Sequence, residues 1–398
     1  MARTRKWRRR WGAGLAAVTT TAVLSAIAPP AQASAEGRIL GAGDPGSVSG
    51  SYIVTLKGST RAPSAAGTDV AETYGARISH TYVTALNGFA VRVDERRARR
   101  LAADPRVASV VQDTRVALEG ARKDPLPWGL DRIDQRNRAL DGRYTVPGPA
   151  GAGVTAYIID TGIRVTHQDF GGRASYGWDF VDNDRTARDG NGHGTHVAAT
   201  VVGSRNGVAR KAKVVAVRVL DDRGAGTTAQ VIAGIDWVTL HARKPAVANL
   251  SLGGYGNAQL DAAVRNSIAS GVTYTVAAGN DGRPAARYSP ARVAQALTVG
   301  ASDRSDARAR FSNTGPAVDL FAPGVAITSA SYTSDTGKVA YSGTSMASPH
   351  VAGAAALYLS RHPRAAPAQV AKALVKQAVP GKLSGVGPGS PNKLLNVG

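Results

Sequence analysis

Three short segments of this 398-residue chain hold side chains of the types that acid–base and nucleophilic chemistry require. Asp160 ends the apolar run Val154-Thr-Ala-Tyr-Ile-Ile159 and precedes Thr161-Gly162. A carboxylate there is partly buried and can accept hydrogen bonds from backbone and from an imidazole; a purely structural Asp in a strand-end turn fits the same residues. His193 lies in Asp189-Gly-Asn-Gly-His-Gly-Thr-His196, ahead of the small residues Val197 to Thr200. The glycines permit sharp turning, and the small residues let a helix pack closely. His193 and His196 could instead share a metal. A zinc site needs a third protein ligand and typically a neighbouring Glu, and no Glu occurs after Glu119. Ser345 lies in Gly343-Thr-Ser-Met-Ala-Ser-Pro-His350, opening an apolar helical stretch to Leu359. Amides and dipole at a helix N-terminus favour developing negative charge beside such a hydroxyl, although an N-cap serine is the structural alternative. Pro349 is tolerated within the first turn.

The elements around these segments follow an alternating pattern. Val154–Ile159, Val214–Leu220, Val247–Leu252 and Val272–Ala277 are short, apolar and β-branched, and helical stretches at Thr227–Leu240 and Gln259–Ser270 separate them. Continuous apolar strands alternating with helices predict an α/β fold, a parallel sheet with helices on both faces. Reactive residues are then expected at the carboxyl ends of strands.

The N-terminal third reads differently. Residues 1–33 have a basic n-region (Arg3 to Arg10), a small apolar stretch from Gly12 to Ala28, and Ala31-Gln32-Ala33 as a cleavage site. That is a secretion signal, too interrupted and too short for a membrane anchor. Residues 34–120 predict a strand at Ser51–Lys57, a helix near Thr68–Tyr74 and strands at Arg77–Val83 and Phe89–Val93. A helix capped by Asp94 and a last strand at Val107–Val111 complete the segment. The order β-α-β-β-α-β is that of a small ferredoxin-like α+β domain.

Taken together, the Asp-Thr-Gly, Gly-His-Gly-Thr-His and Gly-Thr-Ser-Met-Ala-Ser-Pro segments resemble the subtilisin superfamily in sequence and in order along the chain. Trp128-Gly-Leu and Leu220-Asp-Asp-Arg-Gly-Ala-Gly226 are similar to its proteinase K-like branch, and the resemblance spans residues 121–398. It implies a secreted serine endopeptidase with Ser345 as nucleophile, His193 as general base and acid, and Asp160 orienting His193. Asn280, in Val276-Ala-Ala-Gly-Asn280, matches the family's oxyanion-hole asparagine. Gly224, Ala225 and Gly226, with Ser251, Leu252, Gly253 and Gly254, match the two edges that clasp a peptide as an added strand. Ser251–Gly254 with Ala277, Ala278 and Gly279 would wall the S1 pocket. These stretches hold no acid, so the expected P1 preference is aromatic or aliphatic. Structural Ca2+ is the implied cofactor, with Asp319 and the carbonyls of Ala294 and Ala296 as one set. Asp131, Asp134, Gln135 and Asp141 form a second, although Arg143 stands where relatives can offer an oxygen. Asp179 and Asp184 form a third. Residues 34–120 look like the family's inhibitory propeptide, with the mature chain starting between Glu119 and Arg122.

The formal net charge of +21 raises a nucleic-acid reading. From residue 121 onward, 32 Lys plus Arg face 19 Asp, which leaves +13 spread singly along the chain with no recognition motif. The expected partners are protein and peptide substrates and the chain's own propeptide, with no nucleic acid, no membrane after signal removal, and a monomeric state. There is no cysteine, so disulfide and thiolate chemistry are excluded. Two rival readings remain. Asp-Thr-Gly recurs at Asp335, as in an aspartic protease, yet Thr333–Lys338 reads as a polar hairpin turn. A catalytically inactive binding protein on the same fold is the other, and it would be expected to lack one of the four candidate catalytic residues.

Overall fold

The computed structural model describes residues 36–44, 46–117 and 127–398. The expected secretion signal and the expected processing junction lie outside them. The first part of the described chain is a sheet backed by two helices. Its strands are β1 (Ile39–Leu40), β2 (Ser47–Leu56), β3 (Arg77–Tyr82), β4 (Gly88–Arg92) and β5 (Val107–Ala117). The helices α1 (Ala65–Thr73) and α2 (Glu95–Ala102) both carry side-chain N-caps, of which the one at Asp94 is the expected one. Ser64 Oγ accepts from Gly67 N at 3.1 Å, and Asp94 Oδ1 accepts from Arg97 N at 2.9 Å. Strand order β5-β2-β4-β3, antiparallel throughout, gives the expected ferredoxin-like arrangement, with β1 added parallel to β5.

One strand departs from expectation. β5 continues six residues beyond Val111. Its first half pairs with β2, whereas Arg115, Val116 and Ala117 pair with the second part of the chain. Sequence periodicity within one domain cannot report a partner strand supplied by another.

The second part contains α3 (Trp128–Ile133), β6 (Thr155–Asp160), β7 (Ala174–Asp179), α4 (His193–Val202) and β8 (Lys213–Arg218). After them come β9 (Ala225–Thr227), α5 (Thr228–His241), β10 (Ala246–Leu250), β11 (Gly254–Tyr255) and α6 (Ala258–Ala269). Then follow β12 (Thr273–Ala277), β13 (Tyr288–Ser289), β14 (Leu297–Ser302), β15 (Leu320–Pro323), β16 (Ile327–Ala330) and β17 (Lys338–Tyr341). The chain closes with α7 (Thr344–Arg361), α8 (Pro367–Gln377), β18 (Val379–Pro380) and β19 (Lys393–Leu394). The main sheet runs β18-β19-β15-β14-β12-β10-β6-β8-β7, parallel except for β18. β6, β10, β12 and β14 are wholly buried, as their unbroken apolar sequences require. One apolar cluster joins α4 and α7 to one face. A second joins α5 and α6 to the other, and it includes Ile53, Tyr82, Leu86 and Val116 of the first part.

α3 is tied down by a fully buried arginine. Arg132 donates through Nε and Nη2 to both carboxylate oxygens of Asp306, at 2.8 and 3.0 Å, across 174 residues of sequence. Removing one member of such a pair strands the other charge in the core. Arg132→Met in a Ser345→Ala chain should therefore lower unfolding stability by about 3–5 kcal/mol. Denaturant titration checks this, and a loss under about 1 kcal/mol would show that the pair holds nothing together.

Candidate active site

The sheet brings the three candidate segments together at the carboxyl ends of β6, β10 and β12. Asp160, the last residue of β6, is fully buried, and its Oδ1 accepts from His193 Nδ1 at 2.8 Å and from Thr161 N at 2.7 Å. His193 is the first residue of α4. Its Nε2 is buried without a hydrogen-bond partner among the described residues. Ser345 is the second residue of α7, and its Oγ donates to the Ser251 carbonyl at 2.9 Å. In return Ser251 Oγ donates to the Ser345 carbonyl at 2.7 Å. Gly343, at the N-cap of α7, has no side chain to bond the first amides of the helix.

Asn280 follows β12 and is held in one orientation. Its Oδ1 accepts from Thr344 N at 2.8 Å and Thr344 Oγ1 at 2.9 Å. With the oxygen so engaged, the Nδ2 amide is the end left to donate elsewhere. Thr344 is a residue that motif reading missed. Its signal was its place beside Ser345, which says nothing about which side chain its hydroxyl meets.

The second histidine of the motif plays no part in a metal pair. His196 Nε2 meets the Ile327 carbonyl at 2.7 Å, and the ring stacks on Tyr341 at 4.7 Å. Burial pushes its pKa down to about 3, so it stays neutral. Asp335, the aspartate of the second Asp-Thr-Gly, does not approach Asp160; its carboxylate pairs with Arg164 at 2.6 Å in the turn between β16 and β17.

The expected groove residues divide between two places. Ala225 and Gly226 belong to β9, with Gly224 at a positive φ of 72° just ahead of it. β9 carries β5 as an antiparallel neighbour in the register Arg115–Thr227, Val116–Gly226 and Ala117–Ala225. Leu252, Gly253, Gly254, Ala277, Ala278 and Gly279 line one cavity of about 260 Å³ together with Asn280 and Ser345. Among the further lining residues that sequence reading did not name are two aromatic rings and an acid. Tyr255 and Tyr288 stack at 5.8 Å, and Asp281 adds a carboxylate to a wall expected to have none. Burial, then the neighbouring Asp281, pushes the Tyr288 hydroxyl up to about 12.

The expected calcium residues fare unequally. Asp319 is mostly buried, its Oδ2 accepts from Thr298 N at 2.8 Å, and it has no ion-pair partner among the described residues. Desolvation raises its pKa to about 6. A carboxylate in that state fits a hard cation, and Ala294 and Ala296 occupy the turn entering β14 close by in sequence. Asp131 lies on α3, and Asp134, Gln135 and Asp141 lie on the chain leaving it. Asp131 spends its oxygens on Gln135 and on the amides of Asp141 and Gly142, and Arg143 contributes only its amide, to Asp141. Asp134 Oδ1 alone is buried and unpartnered. Asp179 and Asp184 pair through backbone, but the Asp179 carboxylate is occupied. It takes Arg218 Nη1 at 2.6 Å and the amides of Val181 and Asp182. These two residues do not fit a cation site, because a guanidinium already supplies the positive charge. No cluster of three or more metal-ligating side chains occurs among the described residues.

Comparison with known proteins places this geometry in a family. Residues 151–394 match the subtilase family model, and residues 51–119 match the peptidase inhibitor I9 model. An extracellular serine proteinase of Thermus sp. (strain Rt41A) is 48% identical over 395 residues, covering 94% of this chain and 96% of its own length. The alkaline serine exoprotease A of Vibrio alginolyticus is 48% identical over 327 residues, 81% of this chain and 60% of that one. The crystal structure of a cold adapted subtilisin-like serine proteinase superimposes with a TM-score of 0.66 at 52% identity, covering 68% of this chain and 97% of that one. The chain belongs to the subtilase family: it is a subtilisin-like serine protease with an I9-type inhibitor domain ahead of its peptidase domain.

Proposed function

We propose that the protein is a secreted endopeptidase of broad specificity, made as a zymogen that Ser345 processes in cis. In this reading His193 Nε2 takes the Ser345 proton as Oγ attacks the scissile carbonyl. Asp160 holds the Nδ1 proton and stabilises the imidazolium that forms. The oxyanion receives Ser345 N–H and Asn280 Nδ2. His193 then returns the proton to the leaving amine, and water releases the acyl group by the reverse sequence. Substrate binding must turn the Ser345 hydroxyl from the Ser251 carbonyl toward Nε2.

The observation that carries the proposal is the pairing of β5 with β9. The last described strand of the inhibitor domain lies antiparallel on the peptidase, and Arg115 lines the same cavity as Ser345 and Asn280. A strand held in this way is a substrate that precedes its own cleavage. The proposed divisions are a signal at 1–33, an inhibitory domain at 34–120 and a peptidase at 121–398. Ser345→Ala should accumulate as an uncut precursor, while the parent yields a mature chain starting between Glu119 and Arg122. N-terminal sequencing checks both. Asn280→Leu should lower kcat by about 10²–10³ with little change in KM, the loss found for one oxyanion donor in subtilisin; an unchanged kcat removes Asn280 from the mechanism.

The small and aromatic walls of the cavity support an aromatic or aliphatic P1 residue. In a peptide series differing only at P1, Phe or Leu should exceed Glu or Lys by at least about tenfold in kcat/KM. A Lys preference would instead assign the dominant P1 contact to Asp281.

Ca2+ held by Asp319 and the carbonyls of Ala294 and Ala296 would stabilise the fold by compensating a buried charge, and takes no part in the chemistry. The folded-state pKa of Asp319 lies above the ordinary value of 3.8, so ion-free stability is greatest below about pH 4 and falls as pH rises through about 6. The loss is of the order of 2–3 kcal/mol. Melting curves of the Ser345→Ala chain in chelator should fall across this window. Added Ca2+ should restore stability at pH 7 and not at pH 4, and Asp319→Asn should abolish both effects. An identical pH slope in Asp319→Asn would sink the assignment.

A further inference from the structure

The segment leading into α4 contains a second buried aspartate that the triad chemistry does not use. Asp189 is 5% exposed, and its carboxylate accepts five hydrogen bonds. Oδ1 takes Thr161 Oγ1 at 2.9 Å, Asn191 N at 2.9 Å and Gly192 N at 2.8 Å. Oδ2 takes Thr195 N at 2.9 Å and Thr195 Oγ1. Every partner donates, which is the pattern an ionised, acceptor-only carboxylate satisfies. No cation pairs with it among the described residues. Burial pushes its pKa up while these hydrogen bonds pull it down.

The two hydroxyls it holds make the arrangement more than a loop fastening. Thr161 follows Asp160, and its Oγ1 also accepts from Gly194 N at 2.9 Å, one residue beyond His193. Thr195 Oγ1 accepts from Arg164 N at 3.0 Å, on the chain leaving β6. Asp189 thereby joins the end of β6, which carries Asp160, to the first turn of α4, which carries His193. It also supplies a cap that Gly192, the residue at the N-cap of α4, has no side chain to provide.

We propose that Asp189 is a positioning residue for catalysis: it fixes His193 on Asp160 through Thr161 and Thr195, and its buried negative charge favours the imidazolium formed during attack. The proposal rests on the reading of Asp160 and His193 given above. The ionisable groups around it are Asp160 and His193 on the elements it joins, Asp222 against Gly190, and Tyr341 on β17. The Tyr341 hydroxyl is held up by burial and then by the Asp189 charge.

The test uses full-length chains, matured by a trace of the parent enzyme where self-processing is slow. Asp189→Asn places an amide donor against donors and removes the charge. It should lower kcat about 10–100-fold with KM within about twofold, and move the acid limb of kcat/KM to lower pH by about 0.5–1 unit. Thr161→Val removes only the hydroxyl link and should lower kcat about tenfold with the limb unmoved, while Thr161→Ser should keep the parent kcat. An Asp189→Asn enzyme that loses melting temperature but keeps kcat and the limb overturns the proposal. If Asp189→Asn does not fold, Thr161→Val with parental kcat overturns it as firmly. His193→Ala is measured alongside: full activity there removes the catalytic reading and this assignment with it. An inactive His193→Ala beside an unaltered Asp189→Asn removes this assignment alone.

Discussion

The site depends on one carboxylate kept out of water. Asp160 is fully buried at the end of a buried strand, and burying a charge is unfavourable unless hydrogen bonds replace its solvation. Its Oδ1 is satisfied by His193 Nδ1 and Thr161 N. That requirement fixes where α4 must begin, because only its first residue can deliver the imidazole at 2.8 Å. The close approach explains the small residues of the motif. A Cβ at Gly194 would lie 2.2 Å from the Gly162 carbonyl, so glycine is the residue that lets α4 reach β6.

The inhibitor domain is held by the same economy of unpaired polar groups. Asp236, on α5, accepts from the consecutive amides of Val83, Thr84 and Ala85. Asn266 on α6 donates to the Ala85 carbonyl at 2.6 Å, so one turn after β3 is satisfied by two peptidase helices. Asp113 reaches the other way and accepts from Ala229 N, near the start of α5, at 3.1 Å. Around these contacts Ile53, Tyr82, Leu86 and Val116 share an apolar cluster with Leu220, Ile232 and Leu252. Apolar area supplies most of the attraction, and the carboxylates set its orientation. The pairing of β5 with β9 then follows from docking, since the sheet that rests on α5 and α6 aims its last strand at the groove edge.

What could be read from sequence was whatever depends on local pattern. Continuous β-branched runs announced β6, β10 and β12. The ferredoxin-like order was visible in alternation and in the cap at Asp94, and three family motifs picked out the candidate catalytic residues. Contacts between distant segments were not legible. Tyr255 and Tyr288 stack only because β11 pairs with β13, and nothing in either stretch names the other. Asp281 fell outside the stretches judged for P1 preference, although it is adjacent to Asn280. Asp179 and Asp184 suggested an ion because their loop resembles a site of the proteinase K-like branch. The guanidinium that claims Asp179 comes from Arg218, 39 residues away on a neighbouring strand.

That arginine bears on how a cysteine-free secreted fold is braced. Arg218 spans Asp179, Asp182 and Asp222, joining the end of β7, the loop after it and the segment entering β9. Arg132 does the same between α3 and Asp306. Both are buried, both are matched by carboxylates from distant segments, and each supplies several donors in fixed geometry. Desolvation makes such pairs poor sources of net stability, but it makes breaking them expensive. A cross-link of this kind resembles a disulfide in one respect, since the native partners are hard to separate singly. It differs in leaving the unfolded chain unconstrained, so it lends the folded state rigidity without the loop-entropy gain of a covalent bridge. The Arg218 network ends at Asp222, whose carbonyl accepts from Asn191 Nδ2 at 3.0 Å, and Asn191 Oδ1 accepts from His193 N at 3.2 Å. Bracing of the groove edge therefore reaches the backbone of the candidate general base through protein groups alone, which is rigidity that chelation cannot remove.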